Sequence, residues 1–239
     1  MKKLKTHFTN CWEHEKSNSS KLSFYHEHKN KFATETYLND TKGFSRRYST
    51  TQLRISAHGL EIERGRYAEI PRESRFCNWC KTSMRVEVIE SENHVLFECD
   101  LYADLRAKLI SQLNKSPEEY NKEFKSLSPP PPPQSLNINK QSLKVNFMKI
   151  LSPYTTKNFD PTPIDQFSNH HTSATNKNNK ISQTEKNILA LRRSYLINCV
   201  CTFILHTLNK HQKFNKELSE YQKSQNTIII QFNTIRQSN

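Results

Sequence analysis

CNWCKTSMRVEVIESENHVLFEC, residues 77–99, carries the chemistry of this chain in the spacing Cys77-x2-Cys80-x13-His94-x4-Cys99. Two residues between the first cysteines let both thiolates point at one ion. The 13-residue interval is long enough for the chain to turn back and deliver a second pair. His94 and Cys99 then fit a short helical turn ending near Asp100. Three thiolates and one imidazole complete the tetrahedron that zinc prefers, and with every position filled by protein no place remains for a reactive water. The spacing therefore predicts one structural zinc ion. A unit this small closes around its metal, so a chelator should unfold it and protons should compete with metal for the ligands.

The other three cysteines do not extend this group. Cys199 and Cys201 sit in the apolar run LINCVCTFIL and read as small buried residues. The start, MKKLKTHFTNCWEHEK, has lysines but no apolar h-region, so the expected compartment is intracellular, nuclear or cytoplasmic. Thiols stay reduced there, which favours metal over disulfides.

Working outward, Asp100 is the expected N-cap of LYADLRAKLISQL, where Leu101, Leu105, Leu109 and Leu113 repeat every four residues and Asp104 pairs with Lys108. Upstream, residues 1–20 read as a flexible N-terminus and 21–38 as a helix capped by Ser19 or Ser20. Residues 39–51 read as a loop and 51–58 as a helix, with Gly65 ending whatever precedes it. The proline run at 129–133 reads as a stiff spacer opening a Pro-rich and Asn/Ser/Thr-rich linker over 128–184, a disordered stretch interrupted by a short apolar segment from Leu143 to Leu151. Ser182 and Glu185 have capping-box spacing for a long helix over 185–214, and a polar tail follows over 215–239. The fold class expected is mainly α: a small helical domain, 21–127, built around the zinc-binding segment, with disordered linkers.

Only 34% of the 239 residues are hydrophobic, and mean hydropathy is −0.85. That supports a modest core, and no stretch approaches the roughly 20 apolar residues of a membrane span. Net charge is +13 but uneven: +6 over residues 1–76, −2 over 77–128 and +9 over 129–239. A basic chain attracts nucleic acid, so RNA or DNA is the partner expected. Arg64, Arg66, Arg72 and Arg75 form the densest arginine cluster and are the candidate phosphate contacts. Glu61, Glu63, Glu69 and Glu73 lie among them, and pairing with these is the competing reading. The negative balance near the ligands favours a second possibility, a protein partner bound through helices 101–113 and 185–214. With three glycines there is no phosphate-cradling loop, and no nucleophile elbow or HExxH helix is present, so no catalytic residues are assigned. His58 reads as a packed helix histidine, and His206 and His211 do not share a helix face.

The string LRISAHGLEIERGRYAEIPRESRFCNWC, followed by ENHVLFECDLYADLR, resembles the C-terminal zinc-binding region of non-LTR retrotransposon reverse transcriptases. The features shared are Arg54 and His58, Gly65-Arg66-Tyr67, Ile70-Pro71-Arg72, Arg75, the four ligands, Leu101-Tyr102 and Arg106. The likeness is strong over residues 20–110 and weak over 140–210. It implies a region downstream of the polymerase that helps hold template RNA or target DNA. The paired aspartates of a polymerase are missing, which makes the chain a detached or degenerate fragment of such an element. The acidic run Glu90-Ser91-Glu92-Asn93 is one acid short of the family pattern, a difference expected to affect only a solvated loop. The sum is a non-catalytic, zinc-binding, nucleic-acid-binding module, with a helical protein-interaction module or a relic reading frame as the alternatives.

Overall fold

The computed structural model describes residues 2–29, 32–114, 140–151 and 183–237, and these are mainly helical. The expected linker therefore lies outside the described residues, apart from 140–151 and 183–184. The elements in chain order are α1 (Lys2–Asn18), α2 (Ser23–His28), α3 (Thr36–Asp40), α4 (Phe44–Arg54), α5 (Glu61–Tyr67), α6 (Ala103–Leu113), α7 (Leu143–Leu151) and α8 (Gln183–Gln237). Cys77, Cys80, His94 and Cys99 lie between α5 and α6. No helix among the described residues is long and apolar enough to cross a membrane.

The apolar run of the last helix is the axis of the fold. Leu196, Ile197, Val200, Phe203 and Ile204 are buried, and α3, α4, α6 and α7 pack around α8. Leu109 and Leu113 of the four-residue stripe are buried in this core, with Leu105 packed against it. Phe147 of α7 meets Phe97 and Phe203 edge-on, at 5.2 and 6.1 Å between ring centres. A second, smaller core gathers Leu60, Ile62, Val95 and Tyr102 around Cys77, Cys80 and Cys99. Leu105 and Leu208 touch both cores.

Several local expectations give way to tertiary contacts. Residues 1–20 are not loose: α1 spans most of them, docked by Trp12 Nε1 donating to the Tyr25 hydroxyl (3.3 Å) and by the buried Lys16. The helix expected over 21–38 is broken, because Lys29 turns inward to Glu35 and to the Ala33 carbonyl. Ser19 precedes the first turn without a side-chain capping bond. The expected loop over 39–51 shrinks to 41–43, where Gly43 takes φ +90°, and α4 begins at Phe44 and stops at Arg54 instead of running to 58. Asp100 does not cap α6; it starts a 3-10 turn, and Asp104 reaches Lys210 of α8 (2.7 Å) in place of Lys108. Beyond 214 the tail simply continues α8, which carries Lys213–Glu217 and Lys216–Glu220 pairs at helical spacing and no glycine or proline.

Glu35 is the electrostatic pivot between α2, α3 and α4. Its Oε1 lies 3.1 Å from Lys29 Nζ and accepts from Arg54 Nη2 at 2.9 Å, and all three side chains are buried. Two buried cations thus share one carboxylate. Glu35→Ala should cost roughly 3–5 kcal/mol, because both cations lose their counter-charge inside the protein. Glu217→Ala, which removes the partner of Lys213 in a pair exposed on both sides, should cost below about 1 kcal/mol. Urea unfolding of the two variants checks the contrast, and equal midpoints would remove the pivot.

Candidate metal centre

The site is assembled from two reversals of the chain. Phe76 and Ile89 form an antiparallel bridge, with Cys77 N donating to the Val88 carbonyl (2.8 Å) and Glu90 N to the Arg75 carbonyl (2.9 Å). This pairing is the turn-back that the long interval requires. Each ligand pair is set on a wide, π-helical turn: Cys80–Met84 follows the first knuckle, and His94–Glu98 delivers the second pair. Arg85 closes the first turn in the left-handed conformation, φ 55°. Cys99 N donates to the His94 carbonyl (2.8 Å), fixing the spacing of the last two ligands.

Cys77, Cys80, His94 and Cys99 converge, are all buried, and place their ligand atoms within 4.8 Å of one another. Cys77 Sγ lies 3.9 Å from Cys99 Sγ, Cys80 Sγ lies 3.8 Å from Cys99 Sγ, and His94 Nε2 lies 3.4 Å from Cys80 Sγ. Behind the imidazole, Glu98 Oε2 stands 3.4 Å from Nδ1, where a carboxylate orients a ligating ring. The group could hold a metal ion. Its own charges show why one would be welcome. The hydrogen bond from Cys99 lowers the Cys77 thiol to about 3. Burial and the charge on Cys77 push Cys80 up to about 11, and Cys99, which donates to Cys77, is driven far higher. Within the group, ionisation of Cys77 thus opposes ionisation of its two neighbours. A divalent cation removes that opposition.

The acidic run next to the ligands is buried structure, contrary to the expectation of a solvated loop. Glu90 Oε2 accepts from the Glu61 amide at 2.7 Å and lies 3.1 Å from His211 Nε2. Glu92 Oε1 accepts from Ser56 Oγ at 2.8 Å and lies 3.1 Å from His58 Nε2. Burial pushes Glu90 above the usual carboxylate range; at Glu92 burial acts the same way, but the bonds from His58 and Ser56 outweigh it and hold the acid low. The signs differ accordingly. The Glu92 contribution is present above the carboxylate range and is lost as pH falls through its lowered value. The Glu90 contribution is present at low pH and is lost as pH rises through its raised value. His58 is packed, as expected, but lies beyond the end of α4; His206 is exposed and His211 buried, so the two do not share a face, and His211 anchors α8.

The arginine cluster is mostly tied down. Arg64 Nη1 bonds Glu61 Oε1 at 2.7 Å, and Arg66 bonds the buried Glu63 at 3.0 Å while its guanidinium stands 4.3 Å from the centre of the Tyr67 ring. Arg75 spends Nε on the Ile70 carbonyl and Nη1 on the Ile62 carbonyl, both at 2.8 Å. Arg72 is exposed on a 3-10 turn. Sequence reasoning expected Gly65 to end an element; it lies inside α5 because Arg75 passes over it, and a Cβ there would fall 2.6 Å from Arg75 Cγ. Arg106, shared with the resemblance, is buried and donates to the Glu98 carbonyl at the end of the second ligand turn. Cys199 and Cys201 are buried, as expected.

No family model, curated protein or solved structure matches the chain.

Arg75 is a strut between α5 and the first knuckle, so crowding it should be costly. Gly65→Ala should lower stability by about 1–3 kcal/mol through displacement of a side chain held at two carbonyls. A urea midpoint equal to that of the unaltered protein would show that Arg75 is free to move aside.

Proposed function

We propose that this chain is a zinc-stabilised, non-catalytic nucleic-acid-binding module of the kind its sequence resembles, the C-terminal region of a non-LTR retrotransposon reverse transcriptase. The observation that carries the metal reading is the spacing of the ligand atoms. Zinc–sulfur bonds of about 2.3 Å and zinc–nitrogen bonds of about 2.0–2.1 Å at tetrahedral angles put sulfurs about 3.8 Å apart and sulfur and nitrogen about 3.6 Å apart. The sulfur pairs here stand at 3.8 and 3.9 Å and the sulfur–nitrogen pair at 3.4 Å. Four buried protein ligands make a closed, structural set, with Cys77, Cys80 and Cys99 as thiolates and His94 binding through Nε2.

Nucleic-acid binding is supported by the net charge of +13 and its concentration outside the metal segment. The alternative, a protein partner on helices 101–113 and 185–214, has less to stand on. Leu109 and Leu113 pack in one core with Leu196, Ile197 and Val200, so these apolar faces are spent on each other.

Protein purified without chelator should carry one zinc per chain. Cys77→Ser and His94→Ala should lose it together with part of the helical circular-dichroism signal, and acidification should release it, because protons compete for all four ligands. Affinity for RNA or DNA should then fall steeply with salt. Absence of stoichiometric zinc overturns the metal reading; salt-insensitive or undetectable binding overturns the nucleic-acid reading.

A further inference from the structure

The first turns of α4 carry a stacked pair of exposed aromatic rings. Phe44, at 73% the most exposed large apolar side chain among the described residues, stacks on Tyr48, itself 52% exposed, with ring centres 5.6 Å apart and planes 17° from parallel. Neither ring is turned toward the core, which α4 meets through Leu53 and Arg54. Exposed apolar area of this kind costs solubility and gives the helix itself only a few tenths of a kcal/mol from a side-chain pair at this spacing.

Cations surround it. Arg47 lies three residues from Phe44 and hence beside it on the helix, with Nη1 donating to the Thr41 carbonyl. Lys42 and Arg46 line an adjoining cleft of ≈ 330 Å³ with Asn198, whose Oδ1 accepts from the Lys42 amide and from Arg46 Nη1. Among the described residues no carboxylate pairs with Lys42, Arg46 or Arg47; the neighbouring Asp40 is occupied by Arg193 at 2.8 Å. Three cations at the positive end of a helix oppose the helix dipole. Their charge is uncompensated where that of Arg64 and Arg66 is met by Glu61 and Glu63. Further along α4, Ser49 and Gln52 line a second cleft with Arg64, which extends the polar track toward the arginine cluster.

We propose that the first turns of α4 bind single-stranded nucleic acid, with bases stacking on Phe44 and Tyr48 and phosphates held by Arg47 beside the rings and by Lys42 and Arg46 around the helix start. Flat aromatic rings accept any base, and fringing cations follow the backbone, which is how sequence-tolerant single-strand sites are built. The inference rests on the nucleic-acid reading above and moves its centre from the Arg64–Arg75 cluster to α4.

The test uses the full zinc-loaded chain and labelled 12-mers: oligo-uridine RNA, oligo-thymidine DNA and an abasic DNA of equal length. Oligo-thymidine should bind at least about tenfold more tightly than the abasic strand. The Phe44→Ala/Tyr48→Ala double variant should erase that difference while keeping its zinc and helical signal. Lys42→Glu should weaken all three ligands and flatten the salt dependence by about one phosphate contact. The RNA and DNA arms tell which backbone the site prefers. If the unaltered protein binds none of the three, the underlying reading falls. If it binds them but the double variant keeps the full preference for bases, only the placement on α4 is overturned, and the stacked pair serves another partner.

Discussion

Everything in this structure hangs on the burial of one ten-residue segment, Glu90 to Cys99, whose side chains leave in different directions to different partners. Glu90 goes to His211 on α8 and to the start of α5; Glu92 goes to Ser56 and His58 beyond α4. His94 and Cys99 go to the metal group, Val95 to the small core, and Leu96 and Phe97 to the large one. Among the described residues no other segment supplies side chains to both cores, both carboxylate–histidine pairs and the ligands. A wide π-helical turn makes this possible. It carries five residues where a regular turn carries fewer, so successive side chains fan outward. Ser56, strained at φ 51° and fully buried, is held there by its bond to Glu92, so even the end of α4 is set by this segment.

That dependence shows why a metal held by these ligands would matter to the whole fold. Without one, the ligands are joined to each other only by long contacts to sulfur. An ion would replace these with bonds that act on both reversals of the chain at once. Since Leu105 and Leu208 belong to both cores, loosening the ligands frees the face of α6 and α8 that rests on them. Binding energy at the ligands would therefore be spent on helix packing well beyond them.

How far this was legible in the sequence follows from what each signal depends on. Cys77, Cys80, His94 and Cys99 were readable because ligand spacing is local and chemically narrow, and the Leu101–Leu113 stripe because helical periodicity is too. The buried acids were not. Glu90 and Glu92 look like solvated charge until His211, some 120 residues away, and Ser56 and His58 are brought beside them by the fold. The same applies to α1, whose four-residue apolar spacing of Leu4, Phe8 and Trp12 leaves Leu4 and Phe8 exposed, and which docks through Trp12 and the buried Lys16. Gly65 misled for a similar reason. Its small size serves Arg75, ten residues on, and not its own backbone. The exposed pair Phe44–Tyr48 was hidden because its segment reads as a loop until Gly43 starts a helix there.

The distribution of charge now has a structural account. In the ligand segment Glu90 and Glu92 are internal fasteners that face histidines inside the protein and add little to the field outside, whereas Glu87, Glu98 and Asp100 are exposed. Lys29 and Arg54 are likewise consumed on Glu35, and Arg75 and Arg106 on backbone carbonyls. A tally of charge by segment therefore misjudges both sides of the ledger, since it counts buried fasteners with free surface charge. What remains outside is a smaller set of cations, and among these Lys42, Arg46 and Arg47 combine unpaired charge with exposed rings. On the function proposed above, the ligand group would hold the helices in place, and α4 would be the part that meets a polyanion.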